Sequence, residues 1–375
     1  MLQAAQLKKL DTDYYNLINL YHKSNTISIH GGEWVDANYS IQKRLLPEVR
    51  STNNVIDADL LYVMILGYKY KDDFRILIPK IKELSPKKII YINDDYHTFT
   101  HLNGRSNESQ IIEDIIEGTR IDYTVYDPEY GSQIYYKKLD PNKIKYFNYF
   151  NDSWTNNFIW GLGGNYNFNV DRKYKICNMN RRGLGIRSMS ALMTYEMKDV
   201  FTTCYHNEKI STMYIKSQNF SKENTEIALN KIDTFKQTDL RWDSTTSKID
   251  HTQQNNSINI IKDSYVSLTN ESKWQGLPFY SEKTIKCWIT KTPYILLSAP
   301  GTLALLEKLG FKSFNKWWDE GYDLIEKPGK RFDSVMKIVE DIQALSFDDL
   351  KNMMIEMKPV LEHNVQQMEK LPKIL

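Results

Sequence analysis

Along this chain, compact apolar runs alternate with longer stretches in which apolar residues recur every three or four positions. The runs TISIHGGEW, ADLLYVMILGY, KKIIYIND and IDYTVYD predict strands, with another over about Lys143–Tyr149. Between them DDFRILIPKIKEL has helical spacing. A further helix is punctuated by Asn107 as its cap, Gln110 in capping-box position and Gly118 as its stop. An amphipathic helix is also predicted at the start, over about Ala4–Tyr21. Buried strands alternating with amphipathic helices predict a parallel sheet covered on both faces.

GLGGNYNFN, Gly161–Asn169, is rich in Gly and Asn and reads as a linker. The pattern then restarts with strand YKICNMN, a helix over about Ile186–Lys198 and strand VFTTCYH. From Asn207 to Asn256 there is no clear periodicity beyond some helix after Ser221. It resumes at INIIKDSYVSLTN, runs as helix, strand, helix over Tyr280–Phe311, and continues into the amphipathic RFDSVMKIVEDIQAL. Ser346, with Asp349 three residues on, caps a last helix running toward Met368. The expected organisation is α/β, with domains over 1–165 and 170–345 and a C-terminal helix, 346–375, returning to the first. Ligands of such sheets bind beyond the carboxyl ends of the strands, and a cleft between two halves suits a two-substrate reaction.

Composition adds limits. The 375 residues are 41% hydrophobic and 26% charged, as in a globular protein. A formal charge of +2 does not advertise nucleic-acid binding in bulk. Locally, Arg172, Lys173, Lys175, Arg181, Arg182 and Arg187 face a single acid, Asp171, and that excess asks for an anionic partner. Cys177, Cys204 and Cys287 have neither disulfide-framework nor zinc spacing, which fits a reducing compartment. No signal-like or membrane-length apolar stretch occurs, so the sequence reads as cytosolic, with no membrane partner.

Two stretches could carry chemistry. In NMNRRGLGIRSMSALM, a strand gives way to arginines, glycines and a helix start. Glycines admit close approach, the open N–H groups of the helix favour an anion, and guanidinium groups grip phosphate; a solvated basic turn is the plainer alternative. In YSEKTIKCW, Glu282 suits a helix start but Lys283 opposes the helix dipole and needs another reason. A carboxylate can accept both hydroxyls of a ribose, and a lysine can neutralise a diphosphate.

These residues resemble a known family. NMNRRGLGIRSMSALM is similar to the Asn-Arg-Arg…Arg segment that opens the donor domain of fucosyltransferase-like glycosyltransferases. SYVSLTNES followed by FYSEKTIKCWITKTPYIL resembles their acid-ended strand, Tyr-x-Ser/Thr-Glu-Lys helix start and Pro-led strand. LLEKLGFKSFNKWWDEGYDLI and RFDSVMKIVEDI are closer still to a group of bacteriophage and large-virus proteins. The resemblance covers about Tyr174–Ile342. It implies a GT-B fold, two Rossmann-like domains facing a cleft, with the first on the acceptor side and the second binding a UDP- or GDP-linked sugar as co-substrate. Glu282 would then hold the donor ribose, Lys283 and Arg187 would meet the diphosphate, Arg181 or Arg182 would assist, and Tyr280 and Glu271 would lie at the donor. Gly183-Leu184-Gly185 replaces a proline-containing turn of the family, and Asn270-Glu271-Ser272 is a looser match. No cofactor is required, and a divalent metal is not indicated.

A general base for the acceptor is expected at the end of a first-domain strand: Asp94, Asp95 or His97 in YINDDYH, or His30 or Glu33 in ISIHGGEW. Strand-ending Asp and Asn also make ordinary turns. The phage resemblance makes hydroxylated or hydroxymethylated cytosine in double-stranded DNA the leading acceptor, inside an infected bacterial host. A surface glycan or a protein is the rival acceptor, and a non-catalytic nucleic-acid-binding protein on a transferase scaffold is the rival class. No Gly-x-x-x-x-Gly-Lys-Ser/Thr loop supports a kinase-type enzyme.

Overall fold

A computed structural model describes residues 107–127, 130–146, 166–180, 186–204, 212–217, 219–233 and 251–371, residues 82 and 235, and four strands before residue 100. Two compact units divide the chain, Met1–Ser153 with Pro372–Leu375 and Trp154–Leu371. The division falls ahead of the Gly161–Asn169 run read as the linker.

In the first unit, β1 (Leu17–Tyr21), β2 (Thr26–His30), β3 (Leu60–Ile65), β4 (Lys88–Asn93), β5 (Asp122–Asp127) and β6 (Ile144–Tyr146) form one sheet in sequence order. Strands β2 to β6 are parallel, each to the next. Strand β1 pairs antiparallel with β2, Leu17 opposite His30 and Tyr21 opposite Thr26. This corrects the helix expected over Ala4–Tyr21 at its carboxyl end. LINLY and TISIH lie close enough in sequence to pair across a short connection, and sheet pairing overrides a weak helical period. Helix α1 (Asn107–Ile116) buries Ile112 and Ile115, as the sheet buries Ile89 and Val125, and Gly118 stops it in the left-handed conformation at φ 74°. Among the described strands this sheet runs in sequence order, without the reversal that marks a doubly wound sheet.

The second unit has that topology. Strands β7 (Tyr174–Asn180), β8 (Val200–Cys204), β9 (Ser264–Asn270) and β10 (Tyr294–Leu297) lie in the order β10-β9-β7-β8, all parallel. Helix α2 (Ile186–Thr194) leads from β7 out to β8; α3 (Thr212–Ser217), α4 (Lys222–Lys231) and α5 (His251–Lys262) carry the chain back across. Strand β9 then pairs on the other side of β7, and α6 (Glu282–Ile289) leads outward again to β10. The two outward crossovers run in opposite directions, so their common right-handedness puts α2 and α6 on opposite faces. Between β7 and β9 the order reverses, the place where open α/β sheets form a crevice.

Helices α7 (Thr302–Lys308), α8 (Pro328–Ala344) and α9 (Phe347–Lys370) complete the unit. The predicted Ser346/Asp349 capping box is formed at the start of α9. Leu350, Met354, Met357, Leu361, Val365 and Met368 make its buried stripe, and it packs on α6 and β9. The helix expected as a separate element beyond 345 is therefore part of the second unit. Helix α5 starts inside the stretch read as aperiodic, whereas the helix expected after Ser221 is α4, with Ser221 capping it by accepting Asn224 N–H at 3.1 Å.

Candidate functional site

Asn270, the last residue of β9, and Glu271, which continues its direction by bonding Leu297 O, serve opposite faces of the sheet, because successive extended residues point to opposite sides. Glu271 works toward α6. Its side chain is 0% exposed; Oε1 accepts the Ser281 N–H and the Thr284 hydroxyl, each at 2.8 Å, and Oε2 accepts the Ser281 hydroxyl at 2.5 Å. Lys283 Nζ stands 3.7 Å from Oε2. Three donors and a cation meet the condition under which a buried carboxylate is tolerated. Ser281 is the N-cap of α6, so Glu271 fixes the residue that starts the helix.

Lys283 finds its reason for standing at a helix start within the same cluster. Its Nζ donates to Glu282 Oε1 at 2.8 Å and to Ser281 Oγ at 3.0 Å, so neighbouring acids offset its unfavourable place on the dipole. The Glu282 carboxyl, 20% exposed, is held down at about 2: burial pushes it up, but Lys283, Lys286 and the hydrogen bonds from Lys283 and Ser281 outweigh that. The α6 start thus presents a part-exposed, ionised acceptor, with its lysine already engaged.

Asn270 works toward α2. Its Nδ2 and that of Asn180 both donate to Asn178 Oδ1 at 2.7 Å. Asn178 Nδ2 in turn donates to Thr194 Oγ1 at 2.8 Å and Ser190 Oγ at 3.3 Å. Helix α2 sets the direction of this relay. The Thr194 hydroxyl donates to Ser190 O at 2.8 Å, and the Ser190 hydroxyl donates to Arg187 O at 3.0 Å in preference to Asn178 Oδ1 at 3.5 Å. Both hydroxyls therefore offer Asn178 lone pairs, Asn178 must turn its N–H groups to them, and its oxygen must receive the other two amides. Oδ1 of Asn180 and Oδ1 of Asn270 are left without a hydrogen-bond partner among the described residues, at residues 4% and 1% exposed. An unmet buried acceptor costs about 1–3 kcal/mol, so these two mark a place where another donor belongs.

Arg187, in the first turn of α2, donates to Ser272 Oγ at 2.8 Å. That contact brings the first crossover to the end of β9, beside Glu271 and the α6 start. Lys273, 2% exposed, follows directly.

The basic excess over Asp171–Ser190 does not form one patch. Arg172 is buried at the amino end of β7, donating to Ser264 O at 2.6 Å, Thr292 Oγ1 at 2.7 Å, Lys291 O at 3.0 Å and Asn169 O at 3.1 Å. Burial lowers its guanidinium to about 10. Lys175 donates to Gln343 O at 2.7 Å and Leu345 O at 2.6 Å, closing the end of α8. These two are internal staples, separated from Arg187 by the length of a strand, roughly 20 Å.

Of the expected donor residues, Arg187, Glu271, Glu282 and Lys283 come together at the carboxyl end of β9. Their parts differ from the expected ones: Glu271 is wholly enclosed and organises the helix start, and Lys283 pairs inside the cluster. Tyr280 is 0% exposed, its ring 5.5 Å from that of Trp288, so it packs the core behind the site. Arg181, Arg182, Glu33, Asp94, Asp95 and His97 lie outside the described residues, as does the side chain of His30. Sequence reasoning missed Asn178, Asn180 and Asn270, whose signal was polar residues at the ends of strands otherwise fit for burial, and it missed Lys273. It also missed Asp127, buried at the end of β5, which accepts the Tyr136 hydroxyl at 2.6 Å.

Cys177 and Cys287 are buried thiols, both pushed up chiefly by burial, Cys287 to about 12, and are poor nucleophiles. Among the described residues no helix is long and apolar enough to cross a membrane, and no group of three or more His, Cys, Asp or Glu could hold a metal. No protein-family model matches the sequence, and no curated protein matches it.

Proposed function

We propose that this chain is a glycosyltransferase that moves a sugar from a UDP- or GDP-linked donor to a hydroxyl acceptor. The observation that carries the proposal is the meeting of Arg187 and Glu282, from two different crossovers, around Glu271-Ser272 at the reversal of the second sheet. A nucleoside diphosphate leaves in such a reaction. The start of α2 and the Arg187 guanidinium offer fixed positive charge to it without proton transfer. The part-exposed Glu282 carboxylate accepts the ribose hydroxyls. A GT-B arrangement of the two units belongs to the same proposal, as does a base among Glu33, Asp94 and Asp95 that takes the acceptor proton as its oxygen attacks the anomeric carbon. Hydroxymethylcytosine DNA is the first acceptor to screen.

The direct test is thermal stabilisation by UDP, GDP, ADP and CMP, repeated with Arg187→Ala and Glu282→Ala. One nucleotide diphosphate raises the melting temperature of the wild-type chain, and both substitutions abolish the shift. Absence of any shift with all four would sink the proposal.

A further inference from the structure

We infer that Asn180 and Asn270 seat the hydroxyls of the transferred sugar, which makes them residues that select a sugar-bearing ligand over the bare nucleotide. The inference rests on the nucleotide-sugar reading above and adds a sugar subsite to it.

The chemistry of the seat limits what it takes. Its two open groups are amide oxygens, acceptors fixed in that sense by the hydroxyl relay from α2, so they repel an anion. A cation is disfavoured because Arg187 reaches Ser272, two residues beyond Asn270. What remains is a neutral donor, a hydroxyl. Both amides converge on one oxygen of Asn178 from the ends of β7 and β9, so the two acceptors belong to one hydrogen-bonded cluster. The position also separates this seat from the ribose partner. Asn270 bonds toward α2 and Glu271, the next residue, toward α6, so Glu282 at the α6 start and the asparagines on the α2 side address different parts of one ligand, while the guanidinium of Arg187 bonds Ser272, the residue after Glu271. A diphosphate at that guanidinium would carry ribose on one side and the second sugar on the other.

The test is isothermal titration of the full chain with UDP, UDP-glucose, GDP and GDP-mannose, for the wild type, Asn180→Ala and Asn270→Ala. The wild type is expected to bind one sugar-bearing ligand about tenfold more tightly than its bare diphosphate. Each substitution is expected to cut that preference to about twofold while leaving the diphosphate affinity near wild type. Thermal melts check folding. Should an alanine variant not fold, Asn270→Ser keeps a small polar side chain there while removing the amide oxygen, and the same ratio is read. Variants that keep the preference would show that the two oxygens hold only buried water, overturning the inference. Equal loss of sugar-bearing and bare ligand would assign the asparagines a structural role and overturn it too. A wild type that binds a diphosphate with no sugar preference defeats the seat alone, and one that binds none of the four ligands defeats the transferase reading and the seat with it.

Discussion

Ser281 donates both of its polar hydrogens to one carboxylate: its backbone N–H and its hydroxyl each bond to Glu271, at 2.8 and 2.5 Å. A wholly buried acid thereby holds the N-cap of α6, and the position of Glu282 and Lys283 follows from it. The acid lies ten residues earlier in the chain, so the link exists only because β9 ends where α6 begins.

Removing that acid strands the donors of Ser281 and Thr284. Glu271→Ala is expected to destabilise the fold by about 3–5 kcal/mol, and Ser281→Ala by about 1 kcal/mol. Urea unfolding measures both, and the double variant loses less than the sum because the two side chains share a bond. A loss below about 1 kcal/mol for Glu271→Ala would contradict the role given to it.

Two arginines of one basic stretch are expected to part company. Arg172→Met removes four internal hydrogen bonds and should cost about 3 kcal/mol of stability. The fraction that remains folded should keep its nucleotide affinity. Arg187→Ala should do the reverse, leaving stability within about 1 kcal/mol and abolishing nucleotide binding. Melting curves with and without ligand separate the two.

Glu320 makes stability fall as pH rises. Burial is the largest cause of its carboxyl being pushed up to about 7, above the ordinary 4.5, against the lowering effect of the Phe314 N–H, 3.2 Å away. Between those values the native state keeps a proton that the unfolded chain has released, so this group's contribution to stability is full below about 4.5 and declines by roughly 2–3 kcal/mol toward pH 7. Glu320→Gln should flatten this decline and be the more stable protein at pH 8. Equal slopes for wild type and variant in a pH series of urea midpoints would refute it.

Glu282 acts on the acid side with the opposite sign. Its carboxyl is held down at about 2, so its contribution is present above about 4.5 and is lost as pH falls toward 2. Glu282→Gln should be less stable than wild type at pH 6 and converge with it near pH 2. The measurement is the difference in melting temperature across that range.

Much of the second unit was legible along the chain. The helix, strand, helix reading of Tyr280–Phe311, the capping box at Ser346 and the strand ends at Asn180 and Asn270 all follow from local rules of period and capping, which act over a few residues. The pairing of Leu17–Tyr21 with Thr26–His30 was not legible, because a short run has no period strong enough to resist a neighbouring strand. Nor was the buried role of Tyr280, whose polar tip says nothing about the ring of Trp288 behind it.

The sequence by itself determined that the chain is α/β, where most of the described elements begin, and that Glu282 and Lys283 start a helix. Only the tertiary structure decided the strand order, and with it the reversal between β7 and β9 that brings Asn180, Arg187, Asn270 and Glu282 to one end of one sheet. Periodicity reports which face of an element is buried and not which element lies beside it. Neighbours across a parallel sheet are chosen by the direction of each crossover, and the amide orientation of three asparagines was set by hydroxyls on a helix that their own strands do not contain.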